Sequence, residues 1–468
     1  MLVATIHQHA SLTARCLSLP AHRVQPRGAR RNLWSPVRAQ QQPGDGSGSG
    51  EDVPPPPAAE QPPPSAPAVA TEEPPAAEDA NLQLPPEVIQ RLRTTVFGFD
   101  TFFVTGVENY QADGVLFRGN LRGEPAAAYA KLTARLQAEL GEQYKLYLLE
   151  NREELPVAVV LPLASVLPQL GPLPEQLLAA GLGLASVATT LNIFGADLFN
   201  AALLTANWDA AAVAAAAPGA AAFVGILGVH ELAHAVVAKQ RGLQLAPPIF
   251  IPAGLGLLGS FGAVTRFKSF VPTRADLAAV AAAGPLASSA VAAAVMLAGA
   301  ALSAQGVGGI ELAVDSFKES LLAGALGQAV FGDQLFTMEA VDTNPLFVAG
   351  WAGLIINAIN CLPVGELDGG RTFLGLCGRR AAARVGAVTL LLLGLAGFSN
   401  SLSLFWLILV VTLQRGPILP CDQELSSIED AGTKYAAIAA LVLPLLVLLP
   451  YPAVLSITNG LPDLPPTF

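Results

Sequence analysis

From about residue 177 onward this chain repeats apolar runs close to or beyond the roughly 18 residues that a helix needs to cross a bilayer, which leaves such segments few places to go except into lipid. The runs centre on Leu177–Phe194, Ala210–Ala238, Leu277–Leu302, Pro345–Leu362, Val385–Phe398, Ser401–Leu413 and Tyr435–Leu455, with Leu321–Phe336 as a weaker eighth. Composition agrees: only 13% of residues are charged, against about 25% in soluble domains, and the mean hydropathy is +0.49. A large soluble enzyme with buried helices is the competing reading, and the number of spanning-length runs argues against it. The expected fold class is an all-α polytopic membrane protein of about seven spans, with a small α+β soluble domain before them.

Charge divides the chain. The first 39 residues hold six Arg and no acidic residue, whereas the remainder holds 20 basic against 36 acidic residues. A basic, acid-free segment without a long apolar core reads as a cleavable organelle address rather than a secretory signal. Val37-Arg38-Ala39 resembles a chloroplast stromal processing site, so residues 1–39 are expected to be a chloroplast transit peptide, with mitochondrial import as the runner-up. Residues 40–86 are dominated by Pro, Ala, Gly, Ser and Glu and cannot bury a core, so a disordered Pro/Ala-rich linker is expected there.

Residues 87–170 are expected to form the soluble α+β domain. Thr101–Tyr110, Gly114–Leu121, Tyr144–Leu149 and Val157–Leu161 read as strands, and Glu124–Leu140 has helical spacing. Residues 171–460 are the expected transmembrane domain. Within it, Ala246–Phe270 is apolar but rich in Gly and Pro, which suits a re-entrant or edge-strand element sheltered by protein. Basic and acidic loops alternate. Lys239, Arg241, Arg266, Lys268 and Arg274 follow the second run, and Glu311, Asp315, Glu319, Asp333, Glu339 and Asp342 follow the third. The fourth is followed by Arg371, Arg379, Arg380 and Arg384. The positive-inside rule puts the basic loops and the soluble domain on one side, the stroma in a plastid. Neither nucleic acid nor a disulfide framework is expected; the four Cys form no CxxC pair.

The chemistry is concentrated in the second run, in GVHELAHAVVAK. His230 and His234 are four apart and project from one helix face, where two imidazole nitrogens can take two corners of a zinc tetrahedron. Glu231 turns about 100° away, placed to act as general base toward water. The chain has five His; three lie in the first 39 residues and the other two are His230 and His234. Two His and a Glu in one span are costly, about 2.5–3.5 kcal/mol for each charged group at the centre, unless function compensates. The alternative is a hydrogen-bonded polar cluster joining helices.

A catalytic zinc site usually has three protein ligands and an open position. No third His is available beyond residue 39, so a carboxylate is needed. Asp368 in INCLPVGELDGGRTF is the candidate, because the fourth run ends near Pro363 at a depth similar to that of His230. An ordinary Asp-Gly turn is the alternative reading there, and Glu366 is the rival ligand.

These motifs together resemble the site-2 protease family: His230-Glu231-x-x-His234 in one span, then Asn360-x-x-Pro363 leading to Leu367-Asp368-Gly369-Gly370. Gly119-Asn120-Leu121-Arg122-Gly123 ahead of the spans is similar to the plant and cyanobacterial branch called ethylene-dependent gravitropism-deficient and yellow-green proteins. The resemblance covers about residues 85–460. It implies an intramembrane zinc endopeptidase of a chloroplast membrane, the thylakoid ahead of the inner envelope, acting on transmembrane protein substrates amid membrane lipid. It further implies Zn2+ held by His230, His234 and Asp368, Glu231 as the base, and Asn360 as a residue that positions substrate. Gly259-Ser260-Phe261-Gly262 resembles the family's Gly-rich element and Gly284-Pro285 its third-span motif. A catalytically inactive scaffold of the same family and a metal transporter are the competing functions.

Overall fold

A computed structural model describes residues 82–451 apart from 111–112, 152, 154, 167–171, 200–208, 256–257, 399 and 414–419. The expected transit peptide and the expected linker as far as residue 81 lie outside the described residues.

The soluble domain begins with α1 (Pro86–Arg91), which continues as a wider turn over Leu92–Val96. Strands β1 (Phe102–Tyr110) and β2 (Gly114–Leu121), helix α2 (Pro125–Leu140), and strands β3 (Tyr144–Glu150) and β4 (Pro156–Pro162) follow. The sheet is antiparallel in the order β1-β2-β4-β3, with Val115 opposite Val160 and Phe117 opposite Ala158. Period-two alternation turns Val115, Phe117, Leu146, Leu148, Ala158 and Val160 toward α1 and α2. The opposite face of β3 and β4 is apolar as well. Tyr147, Leu149, Val157, Val159 and Leu161 are buried there, with Phe270 from the helical part of the chain packed against them. That second covered face explains why Pro156–Pro162 reads as a continuous apolar run rather than an alternating one.

After the short α3 (Leu163–Val166), the helical part opens with α4 (Pro172–Leu191), α5 (Ala210–Gln240) and α6 (Arg274–Ala304). Asp209 caps α5 by accepting from the Ala211 N–H at 2.9 Å, and Thr273 caps α6, its hydroxyl accepting from the Asp276 N–H at 3.2 Å and donating to the Asp276 carboxylate at 2.7 Å. Between α5 and α6 the Gly/Pro-rich segment forms the antiparallel pair β5 (Ile249–Leu255) and β6 (Leu258–Val264). Beyond α6 come β7 (Ile310–Ala313), α7 (Val314–Lys318), α8 (Leu321–Phe331), α9 (Gln334–Thr337) and β8 (Ala340–Thr343). At 11 residues α8 is about 16 Å long, well short of the roughly 30 Å hydrocarbon core. The chain closes with α10 (Pro345–Asn360), α11 (Asp368–Ala396), α12 (Ser401–Leu413) and α13 (Ala431–Leu448). Among the described residues, four helices are long and apolar enough to cross a membrane: Leu173–Ala196, Ala210–Gln240, Arg274–Ala304 and Ala431–Leu448.

The core lies on α10. Nearly every residue from Phe347 to Asn360 is buried, on all faces of the helix. A helix apolar all round belongs inside other structure, and α10 contributes to two adjoining clusters. Val348, Ala352 and Ile356 pack with Phe223 of α5 and Phe261 of β6, while Phe347, Trp351 and Leu354 pack with Ala292 and Met296 of α6. Being enclosed by protein, α10 need not reach both interfaces with its 16 residues, about 24 Å. The apolar run Val385–Phe398 is largely the C-terminal half of the much longer α11, which carries four Arg ahead of that run and bends at Gly378 (φ 82°).

Candidate metal centre and active site

Three helices and one hairpin converge on the HELAH turn of α5. Its period puts His230 and His234 on the buried face toward α6 and α10, 7% and 5% exposed. The orientation of each ring follows from its partner. His234 Nδ1 lies 2.7 Å from the Val280 carbonyl of α6, which can only accept, so Nδ1 carries the hydrogen. His230 Nδ1 lies 2.9 Å from Asn357 Oδ1 of α10 and 3.1 Å from Ser288 Oγ of α6, and it donates to the Asn357 carbonyl. Both Nε2 atoms therefore present lone pairs, and they face each other 3.0 Å apart.

Gly284 makes room for this. A Cβ there would stand 2.6 Å from His234 Cε1 and 2.7 Å from Cδ2, inside any tolerable contact. The Gly-Pro pair singled out in the sequence is thus a cleft in α6 that receives the imidazole.

Asp368 closes the third side. Rather than standing in an isolated turn, it is the first residue of α11, where a carboxylate also faces the favourable end of the helix dipole. Its Oδ2 is 3.1 Å from His230 Nε2 and its Oδ1 is 3.4 Å from His234 Nε2. The following Gly369 and Gly370 let α11 start against the backbone, since Cβ atoms at those positions would strike the Cys361 and Gly365 carbonyls. The rival carboxylate is engaged elsewhere: Glu366 pairs with Arg371 at 3.2 Å. Among the described residues, His230, His234 and Asp368 form a group able to hold a metal ion, with one ligand atom from each lying within 4.8 Å of the others. The donor set fits zinc. Zn–N bonds of about 2.0–2.1 Å in a tetrahedron leave their nitrogens about 3.3 Å apart, and two facing lone pairs are favourable only with a cation or proton between them.

Glu231 is not one of this trio, and its Oε2 accepts from Thr265 Oγ1 at 2.5 Å, just beyond β6. The Thr265 carbonyl in turn accepts from Arg371 at 3.0 Å, tying the end of the hairpin to the first turn of α11. Glu231, His234, Asp368 and Asn360 all line one cavity of about 740 Å³, with Phe261 and Trp406 among its apolar walls. Asn360 sits in that wall, 8% exposed, with its amide nitrogen bonded back to the Ile356 carbonyl at 2.9 Å.

Sequence reasoning missed Ser288, Asn357 and Thr265, which orient the histidines and the glutamate. Asn357 and Ser288 left a signal, being polar residues inside apolar runs. Thr265, in a hairpin edge, left none. Cys361 and Cys421 are buried free thiols outside this group.

Residues 218–398 match the family model described as Peptidase family M50, and residues 90–168 match that of the EGY3 middle domain. Among curated proteins the chain is 43% identical over 379 residues to Probable zinc metalloprotease EGY2, chloroplastic, of Arabidopsis thaliana, covering 80% of this chain and 66% of that protein. It is 33% identical over 400 residues to Probable zinc metalloprotease EGY1, chloroplastic, of the same plant, covering 79% and 72%. To Probable zinc metallopeptidase EGY3, chloroplastic, it is 28% identical over 377 residues, covering 74% and 63%. The chain thus spans about two thirds of the length of these relatives. No solved structure matches it.

Proposed function

This chain belongs to peptidase family M50, the site-2 protease family of zinc metalloproteases, and we propose that it hydrolyses peptide bonds in or near the transmembrane segments of plastid membrane proteins. The observation that carries the proposal is the convergence of two imidazole lone pairs and one carboxylate beside a cavity that also holds a separately anchored Glu. His230, His234 and Asp368 are the ligands in this reading, and Glu231 is the general base. Zinc held there supplies Lewis-acid polarisation of a carbonyl and lowers the pKa of water.

The protein's own groups do the rest. Glu231 is held by Thr265 and takes a proton from the attacking water, which it can return to the leaving amine. Val280 and Asn357 hold the histidines in the tautomer with Nε2 free, the outer-shell role such partners have in metal sites. Asn360 lies where it can contact an extended substrate backbone, which supports a positioning role.

In the proposed topology α4, α5, α6, α10, the second half of α11, α12 and α13 are seven spans. The loop from Lys239 to Arg274 and the Arg-rich start of α11 then share the stromal side with the soluble domain, in the thylakoid membrane ahead of the inner envelope. The chloroplastic relatives support the compartment. The transit peptide over residues 1–39 and the linker to residue 86 complete the proposed organisation. A metal transporter would place ligands on several spans at different depths, and among the described residues the metal-binding group is single.

Glu231→Gln separates protease from scaffold. The amide is nearly isosteric and leaves all three ligands in place, so zinc content is expected to hold while cleavage of a reconstituted transmembrane substrate falls by about 10²–10⁴. Near wild-type cleavage by this variant would refute the mechanism, and a wild-type protein that cuts nothing would favour the scaffold.

A further inference from the structure

The soluble domain is built into the catalytic chamber. Residues 421–424 form a strap between two elements. On one side Leu148 of β3, an edge strand, donates its N–H to Asp422 O at 2.9 Å, and Glu424 N donates to Leu148 O at 2.9 Å. On the other side Asp422 N donates to Val271 O at 2.8 Å and Gln423 N to Pro272 O at 3.0 Å, just before α6. The strap thus extends the soluble sheet and ties it to the helix that carries Gly284 and Val280.

Charges reinforce both sides. Lys145 of β3 pairs with Asp422 at 2.8 Å, and its ammonium stands 4.4 Å from the centre of the Phe270 ring. Glu424, 5% exposed, receives two bonds from Arg379 of α11 at 2.6 and 2.9 Å and one from the Cys421 N–H at 2.9 Å. Arg379 belongs to the helix that begins with Asp368. Buried, bidentate pairing of this kind fixes geometry.

The domain so held supplies part of the cavity wall. Tyr110, the last residue of β1, lines the same cavity as Glu231, His234 and Asp368, and Arg379 lines it too. It is half-buried, with its side chain packed against the second face of the sheet. A phenol ring has few rotamers and is backed here by a docked sheet, so it acts as a rigid wall.

We propose that Tyr110 is a specificity-determining residue of the protease, excluding bulky side chains from the substrate flank that faces the soluble domain, and that the Cys421–Glu424 strap holds it in place. This rests on the proteolytic reading given above.

The test uses the full-length protein reconstituted with two substrates that share one transmembrane segment and differ only in Ala or Trp residues in the flank on the soluble-domain side. The readout is kcat/KM for each. Wild type is expected to favour the Ala flank by about tenfold or more, as steric pockets do. Tyr110→Ala should bring that ratio near one by accelerating the Trp-flanked substrate, and Tyr110→Phe should restore it. The variant Asp422→Asn loosens the strap at its pair with Lys145, neither residue lining the cavity, and should lower the ratio in the same direction; it tests the claim where Tyr110→Ala does not fold. Absence of a preference in wild type, an equal fall on both substrates in Tyr110→Ala, or an unchanged ratio in the strap variant would overturn the proposal. Wild-type protein that cuts neither substrate would refute the proteolytic reading and this inference with it.

Discussion

Gly284→Ala is the substitution whose outcome the geometry of the proposed zinc site constrains most. The new methyl carbon would stand 2.6 Å from His234 Cε1 and 2.7 Å from Cδ2, where carbon atoms sit comfortably at about 3.5–4.0 Å. The ring must therefore retreat by roughly 1 Å. It cannot swing freely, because its Nδ1–H is bonded to Val280 O at 2.7 Å on the same helix that carries the new methyl group. Metal–ligand distances tolerate only about 0.2 Å of error, so a displacement several times larger should cost at least what loss of an outer-shell partner does. That is about 10–100-fold in zinc affinity, or about 1.4–2.7 kcal/mol. Helix propensity alone argues the other way, since Ala is better than Gly in a helix interior by roughly 0.8–1.0 kcal/mol. Competition with a graded chelator in detergent, together with thermal unfolding of the zinc-free form, distinguishes the two. We expect weakened zinc binding and lost cleavage. Zinc affinity and cleavage equal to wild type would show that His234 does not hold the metal in this orientation.

Asp368→Ala removes one of three proposed ligands and should lower zinc occupancy measured by metal analysis, with Asp368→Asn gentler on folding but still damaging to cleavage. Glu424→Ala leaves Arg379 without its bidentate partner and should destabilise the protein toward the lower end of about 3–5 kcal/mol, because the Arg379 side chain retains 29% exposure; denaturant unfolding in detergent measures it. Import should remove about the first 39 residues, where the acid-free composition ends. N-terminal sequencing of the plastid-resident form checks this, and a start at Met1 would refute it.

What could be read from the sequence was what short-range periodicity encodes. His230 and His234 share a face because they are four apart on a helix, and Glu231 leaves that face because it is one residue on. The strands Gly114–Leu121 and Tyr144–Glu150 follow from local alternation and β-branched or aromatic content. Hydropathy located α4, α5, α6 and α13, since each run is apolar over a spanning length. It did not locate the first part of α11, because Arg371, Arg379, Arg380 and Arg384 break the apolar run, although helix continues on both sides of the bend at Gly378. Such helices are recognised by what surrounds them. Only tertiary structure decided the rest, because those contacts join residues far apart in the chain. Asp368 meets His230 across 138 positions, and Asn357 meets it across 127. Gly284-Pro285 stood out as a motif, but that Gly284 is where the His234 imidazole must fit is decided only by the packing of α6 on α5. The strap joins Lys145 to Asp422 across 277 positions, a pairing that no local propensity encodes and that packing of the whole chain alone can bring about.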